Sequence, residues 1–145
     1  MRSALMSWQL WAVLSAVFAA LTAIFAKVGV ANVNSDFATF IRTVVILGCL
    51  AAFLLATDQF QSPGSISPRT YAFLVLSGLA TGASWVCYFR ALKIGDASKV
   101  APVDKLSLLL VALFAVVFLG DRPSGREWIG ILLVGAGVLV LGFRR

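Results

Sequence analysis

An all-α, polytopic membrane protein is the fold class that this sequence predicts, on three observations. Of 145 residues, 61% are hydrophobic and only 12% charged, with mean hydropathy +0.98, well outside the balance of water-soluble domains. The apolar residues gather into five runs: Trp8 to Val30, Phe37 to Ala56, Tyr71 to Leu92, Val100 to Gly120 and Trp128 to Phe143. Between them lie brief segments rich in Gly, Pro, Asn, Ser and Asp, which are turn compositions too small for a soluble domain. A helix needs about 20 residues to cross hydrocarbon, so the first four runs span comfortably, while the short fifth requires local thinning or flanking residues.

The first run begins directly after Met1 and Arg2, and Ala20 and Ala23 offer a superficial signal-peptidase site. It continues to Val30, too long for the apolar region of a signal peptide, so it reads as a retained span. Trp8, Trp11, Ser15, Phe18, Thr22, Phe25 and Gly29 recur at spacings of three and four and share a helical stripe. Trp8 and Trp11 suit an interfacial belt and Ser15, Phe18 and Phe25 a packing seam, while Thr22 is open between packing and substrate contact. On the second run Thr39, Arg42, Ile46, Cys49 and Phe53 form a stripe. Arg42, one to two turns in, either snorkels to the interface or turns inward to meet an acid.

The third run carries Gly78 and Gly82 as a Gly-x-x-x-Gly pair, expected to admit a neighbouring helix. Trp85 and Tyr88 follow, and either pack or contact substrate through stacking and a phenolic hydroxyl. The fourth run holds Asp104, Ser107, Val111, Phe114 and Phe118 on one stripe, after Pro102, which lacks an N–H and can bend or unwind the helix there. Asp104 and Lys105 are adjacent, so ideal helix geometry points them about 100° apart and each is expected to need another partner. For Asp104 the structural reading is an ion pair with Arg42 or a helix terminus, and the functional one is substrate or proton binding. Lys105 is expected to snorkel. In the fifth run Gly130 with Gly137 and Gly135 with Gly142 make two seven-residue tracks, for which dimerisation is the expected role and packing within one chain the alternative.

Composition narrows the functional classes. The net charge of +6 comes from residues scattered between apolar runs rather than a basic patch, which argues against nucleic acid. There is no His, and the two cysteines, Cys49 and Cys87, fall inside apolar runs, so neither a disulfide framework, a metal site nor a cofactor is expected. No paired carboxylate lies within a span and no nucleophile stands beside an evident base, so the chain does not read as an enzyme. Five spans put the termini on opposite faces. Lys27, Arg90, Lys93, Lys99, Arg144 and Arg145 fall on one side and Arg2, Arg69, Arg122 and Arg126 on the other. This margin specifies orientation weakly, as a chain inserting both ways requires, although fixed orientation with an unexceptional bias fits equally.

The order Tyr88-Phe89-Arg90-Ala91-Leu92-Lys93-Ile94-Gly95, Ala97-Ser98-Lys99-Val100-Ala101-Pro102, Phe118-Leu119-Gly120-Asp121-Arg122, Trp128-Ile129-Gly130 and Val134-Gly135-Ala136-Gly137-Val138 resembles the EamA-type family of the drug/metabolite transporter superfamily. The resemblance covers nearly the whole chain, as a single domain over residues 1–145 forming one five-helix repeat. It implies an all-helical carrier whose complete members place two such repeats in inverted orientation around a central cavity. Asp121 stands where the family often has Glu, which favours a structural or topological role there.

The resulting expectation is a half-size secondary transporter of a small metabolite or drug-like molecule, integral to the cell (inner) membrane and paired as an antiparallel homodimer or with a heterologous half-size partner. Substrate contacts are expected from Thr22, Trp85, Tyr88, Asp104 and Ser107, with Arg42 and Lys105 as charge partners. Two alternatives are a non-transporting membrane subunit that stabilises or regulates another protein, and a lipid-handling variant of the same scaffold.

Overall fold

The computed structural model describes the backbone of residues 2–142 and the side chains of residues 8–142. Regular structure among them is helical: α1 (Arg2–Val30), α2 (Ser35–Ala56), α3 (Pro68–Ile94), α4 (Ala97–Asp104), α5 (Ser107–Phe114) and α6 (Gly125–Gly142), with a 3-10 turn at Pro63–Ser65 and a π turn at Ala115–Leu119. Five stretches are long and apolar enough to cross a membrane: Trp8–Val30, Ser35–Ala56, Pro68–Ile94, Ala97–Leu119 and Gly125–Gly142. They overlap the five runs read from the sequence, with ends that differ by up to three residues. The Phe143 end of the fifth run, the Arg2 side chain, Arg144 and Arg145 lie outside the described residues.

The helix boundaries follow local chemistry. Asn34 begins α2 by accepting hydrogen bonds from the amides of Asp36 and Phe37 at 2.9 and 3.1 Å, which satisfies two amides that lack partners inside the helix. Ser67 caps α3 through the Thr70 amide, and Pro68 opens the helix where a missing N–H costs nothing. At α6, Ser124 and Glu127 form a reciprocal capping box: the Ser124 amide and hydroxyl donate to Glu127 Oε2 at 2.6 and 2.8 Å, and the Glu127 amide returns to Ser124 Oγ. Within the spans, hydroxyls turn back on their own helix. Thr39, Thr43 and Thr81 each donate to the carbonyl four residues earlier, which satisfies these three hydroxyls without a partner from outside the helix.

The fourth run differs from a continuous helix. Pro102 sits inside α4, which ends two residues later at Asp104; the amides of Lys105 and Leu106 then bond three residues back, to Pro102 and Val103. This tightened turn joins α4 to α5. The run ends in the π turn, terminated by Gly120 with φ +74°, a left-handed conformation that glycine adopts without a Cβ clash.

The chain divides into two compact bodies, Met1–Ile24 with Ile94–Arg145, and Phe25–Lys93. In the first, α6 packs against α4 and α5, and the buried positions are Ala23, Gly135 and Val138. In the second they are Ala26, Val30, Thr39, Phe89 and Leu92. The core is therefore small and made largely of small or branched residues, while most apolar side chains face outward.

This corrects the reading of α1. Phe18 and Phe25, expected in a packing seam, are 66% and 69% exposed, and the buried face is Ala23, Ala26 and Val30. Small side chains permit the close backbone approach that packing of helices in hydrocarbon rewards. The aromatic stripe is left for lipid or another chain.

Candidate functional site

In the second body, the end carrying the α1–α2 turn is held by three cations. Arg90 donates to Asp36 through two parallel bonds, Nε to Oδ1 at 2.9 Å and Nη2 to Oδ2 at 2.6 Å, the forked geometry that suits guanidinium and carboxylate. Lys27 Nζ donates to the Leu92 carbonyl at 2.7 Å, and Lys93 Nζ to the Val33 carbonyl. Two lysines thus satisfy carbonyls near helix ends, where the backbone has acceptors without intrahelical partners. None of these contacts was read from the sequence. The available signal was an acid at the start of one run and a base near the end of the next, which a chain reversal brings to one level.

One turn and a half beyond Asp36, Arg42 extends toward α3. Its guanidinium carbon lies over the Trp85 ring, 4.2 Å from the centroid, and 5.5 Å from the centroid of Phe89, within the range of cation–π attraction. Tyr88 adds an electrostatic influence on the same group, and its ring meets Phe89 edge-on at 6.5 Å. Trp85 and Tyr88, the predicted α3 contacts, are both half-buried here. The stripe Thr39, Arg42 and Ile46 faces inward, whereas Cys49 and Phe53 farther along are exposed.

In the first body, Asp104 and Ser107 flank the turn between α4 and α5, with Asp104 half-buried, Ser107 exposed and Thr22 on α1 half-buried. Asp104 pairs with Lys105, Oδ2 to Nζ at 3.3 Å, contrary to the expectation that neighbours in sequence cannot neutralise each other. The 100° separation assumes a continuing helix; α4 ends between the two residues, and the long Lys105 stem lets its ammonium swing back. Arg42 and Asp104, expected to meet, belong to different bodies, and each is engaged within its own.

The same body contains an open groove of about 710 Å³ between α5, the π turn and α6. Leu108, Val111 and Ala115 wall one side, Gly130, Ile131 and Val134 the other, and Asp121, Arg122 and Glu127 lie at one end. Glu127 is committed to capping α6. None of Thr22, Asp104 and Ser107 lines this groove.

The glycine tracks separate. A Cβ on Gly135 would stand 2.5 Å from Leu109 Cδ1, and one on Gly142 would stand 3.2 Å from Val103 Cγ2, so this track packs within the chain. Around Gly130 and Gly137 nothing stands within 4 Å, and the same holds for Gly78 and Gly82.

Comparison with known proteins agrees with this architecture. The EamA-like transporter family matches residues 6–143. The chain belongs to that family. It is an integral membrane protein of a transporter family, all-helical with five membrane-spanning stretches. Among its relatives, an uncharacterized transporter in the cobO 3' region of Sinorhizobium sp is 63% identical over 135 residues, covering 93% of this chain and 96% of that protein. The uncharacterized transporter YxxF of Bacillus subtilis is 26% identical over 94% of this chain but only 42% of its own length. Solute carrier family 35 member F6 of mouse is 33% identical over 65% of this chain and 27% of its own. No solved structure matches this EamA-family chain.

Proposed function

We propose that this EamA-family chain is a half-size secondary transporter of the cell inner membrane that moves a small metabolite or drug-like molecule by alternating access, as an antiparallel homodimer. The observation that carries the reading is one of length. The chain aligns over 94% of itself with less than half of the Bacillus transporter, while the Sinorhizobium relative is matched over nearly its whole length. One copy then supplies one repeat and a second copy the other. The weak charge asymmetry suits insertion in both orientations.

The distribution of polar groups supports the same reading. Arg42, Asp104 and Lys105 lie within spans, where ionised groups are costly and are retained for use, and the hydroxyl of Ser107 lies close to Asp104 and Lys105 in the sequence. A broken fourth span resembles the discontinuous helices that line carrier sites, since a turn leaves backbone groups available to ligands. In this proposal Thr22, Trp85, Tyr88, Asp104 and Ser107 contact substrate, and the open faces at Gly78–Gly82 and Gly130–Gly137 meet the second copy.

Purified protein reconstituted in liposomes tests this directly, using a broad panel of labelled metabolites and drug-like compounds with a pH-sensitive dye inside. Substrate-dependent flux or proton movement by dimeric protein is expected. Dimers that move nothing across that panel defeat the transport reading. Stable co-purification with one fixed heterologous protein would favour the subunit reading, and scrambling of labelled phospholipid the lipid-handling one.

A further inference from the structure

Arg42 has aromatic neighbours for its charge and, among the described residues, no hydrogen-bond acceptor for its N–H groups. The guanidinium carbon lies over the Trp85 and Phe89 rings, 4.2 and 5.5 Å from their centroids, and the five N–H groups of arginine fan out in the guanidinium plane. Among the described residues, no hydrogen-bond acceptor and no carboxylate within ion-pair distance meets them; the carboxylates of Asp36, Asp96 and Asp104 pair with Arg90, Lys99 and Lys105. Donors left unmatched at a low-dielectric site are expensive, so this arrangement calls for an acceptor from outside the chain.

Register distinguishes this from a snorkelling arginine. The Asp36–Arg90 pair sets α2 antiparallel to α3, so Arg42, six residues beyond Asp36, lies level with residue 84 and about 9 Å along the axis from that pair. A side chain running back to the interface would pass Trp85 and carry its guanidinium nearest to Phe89. The guanidinium is instead nearer Trp85, 4.2 Å against 5.5 Å. Toward the ion pair the site is closed by Thr39 and Phe89, 6% and 3% exposed. Away from it, residues 71–84 of α3 are all exposed, so the cluster opens in that direction past the mostly small or hydroxyl residues 77–84, with the apolar residues 72–76 beyond.

We infer that Arg42 is a binding residue for an organic anion, a carboxylate or phosphate group joined to an apolar body, held by the N–H fork while Trp85 and Phe89 position the guanidinium through ring contact. A planar fork matches two oxyanion oxygens at once, which an ammonium does not. Cations are rejected by the same charge. This names a substrate class for the transporter proposed above, and rests on that reading only for the step from binding to movement.

The test uses the full chain with Trp8, Trp11 and Trp128 replaced by Phe, leaving Trp85 as the single tryptophan reporter of the cluster. In detergent micelles, benzoate should change Trp85 fluorescence saturably, inorganic phosphate should compete, and benzamide and tetraphenylphosphonium should do neither. Arg42→Gln should weaken benzoate binding by roughly tenfold or more, and Arg42→Lys by less. Should Arg42→Gln fail to fold by its thermal unfolding profile, Arg42→Lys decides: benzoate affinity equal to that of the parent overturns the inference. Equal affinity in a folded Arg42→Gln also overturns it. A second arm compares phosphatidylcholine vesicles with and without phosphatidylglycerol. A response to phosphatidylglycerol with none to benzoate identifies a lipid headgroup and overturns the substrate assignment. Arg42-dependent benzoate binding with no flux of any compound leaves this site standing and removes transport; flux of tetraphenylphosphonium without benzoate binding does the reverse.

Discussion

Asp36 and Arg90 are single residues whose pairing sets the register of two helices. Their side chains are 45% and 62% exposed, so water and salt screen them and geometry contributes more than charge alone. Asp36→Asn and Arg90→Gln are each expected to lower the unfolding midpoint in detergent by a few degrees, with the loss shrinking as salt is raised. The swapped pair, Asp36→Arg with Arg90→Asp, should recover most of it; a swap no better than the worse single variant would show that the contact holds nothing. Both residues were visible in the sequence as charges at the margins of apolar runs. Their partnership was not, because a charge at a run's edge looks the same whether it meets water, lipid or another helix. Arg42 illustrates the same point from inside a span: its cost was legible, but whether it met an acid, the interface or a ring depended on how the neighbouring helix was placed.

At the scale of elements, α6 presents two glycine tracks that are equivalent in sequence and different in space. Gly135→Leu is expected to destabilise the protein by about 1–3 kcal/mol, because the new side chain must enter space held by Leu109. Adding Leu109→Ala should return a large part of that in the same denaturation experiment. Gly137→Leu should leave monomer stability unchanged, since no atom stands within 4 Å of its Cβ position, and should instead reduce dimerisation in crosslinking if that face meets a second copy. The fourth span makes the complementary argument. Pro102 announced a disturbance, yet the break falls at residues 105–106, after α4 ends. Pro102→Ala restores an amide that can bond the Ser98 carbonyl, so the new amide at residue 102 should be protected and hydrogen exchange at its neighbours should slow; exchange unchanged at those neighbours would mean that the turn, not the proline, governs that segment.

For the whole molecule, the exposed apolar surface sets the terms. Trp11, Phe18, Phe25, Val28, Leu47 and Leu55 are among many large side chains more than half exposed. In a chain with five membrane-crossing stretches these faces are covered by lipid or by another copy. If the pair is antiparallel, a tag on the C-terminus should be found on both faces of the membrane in comparable amounts. Adding two lysines to the loop between α2 and α3 should bias insertion to one side and reduce flux. A single orientation in the unmodified protein, with undiminished flux, would rule out antiparallel pairing.

The sequence by itself determined that five helices cross hydrocarbon and roughly where each begins and ends, because the transfer of apolar runs and the satisfaction of backbone groups depend on local composition and length. Turn residues and the order of motifs carried the family resemblance in the same local way. Only the tertiary structure decided which faces are inward: α1 buries alanines rather than its aromatic stripe, Asp104 turns to Lys105, Arg42 lies on Trp85, and one glycine track packs while its twin stays open. In a bilayer the outer face of a helix is as apolar as the inner one, so periodicity loses the contrast that reveals burial in water. What remains is shape and the need of each polar group for a partner, and both are properties of neighbours rather than of the run itself.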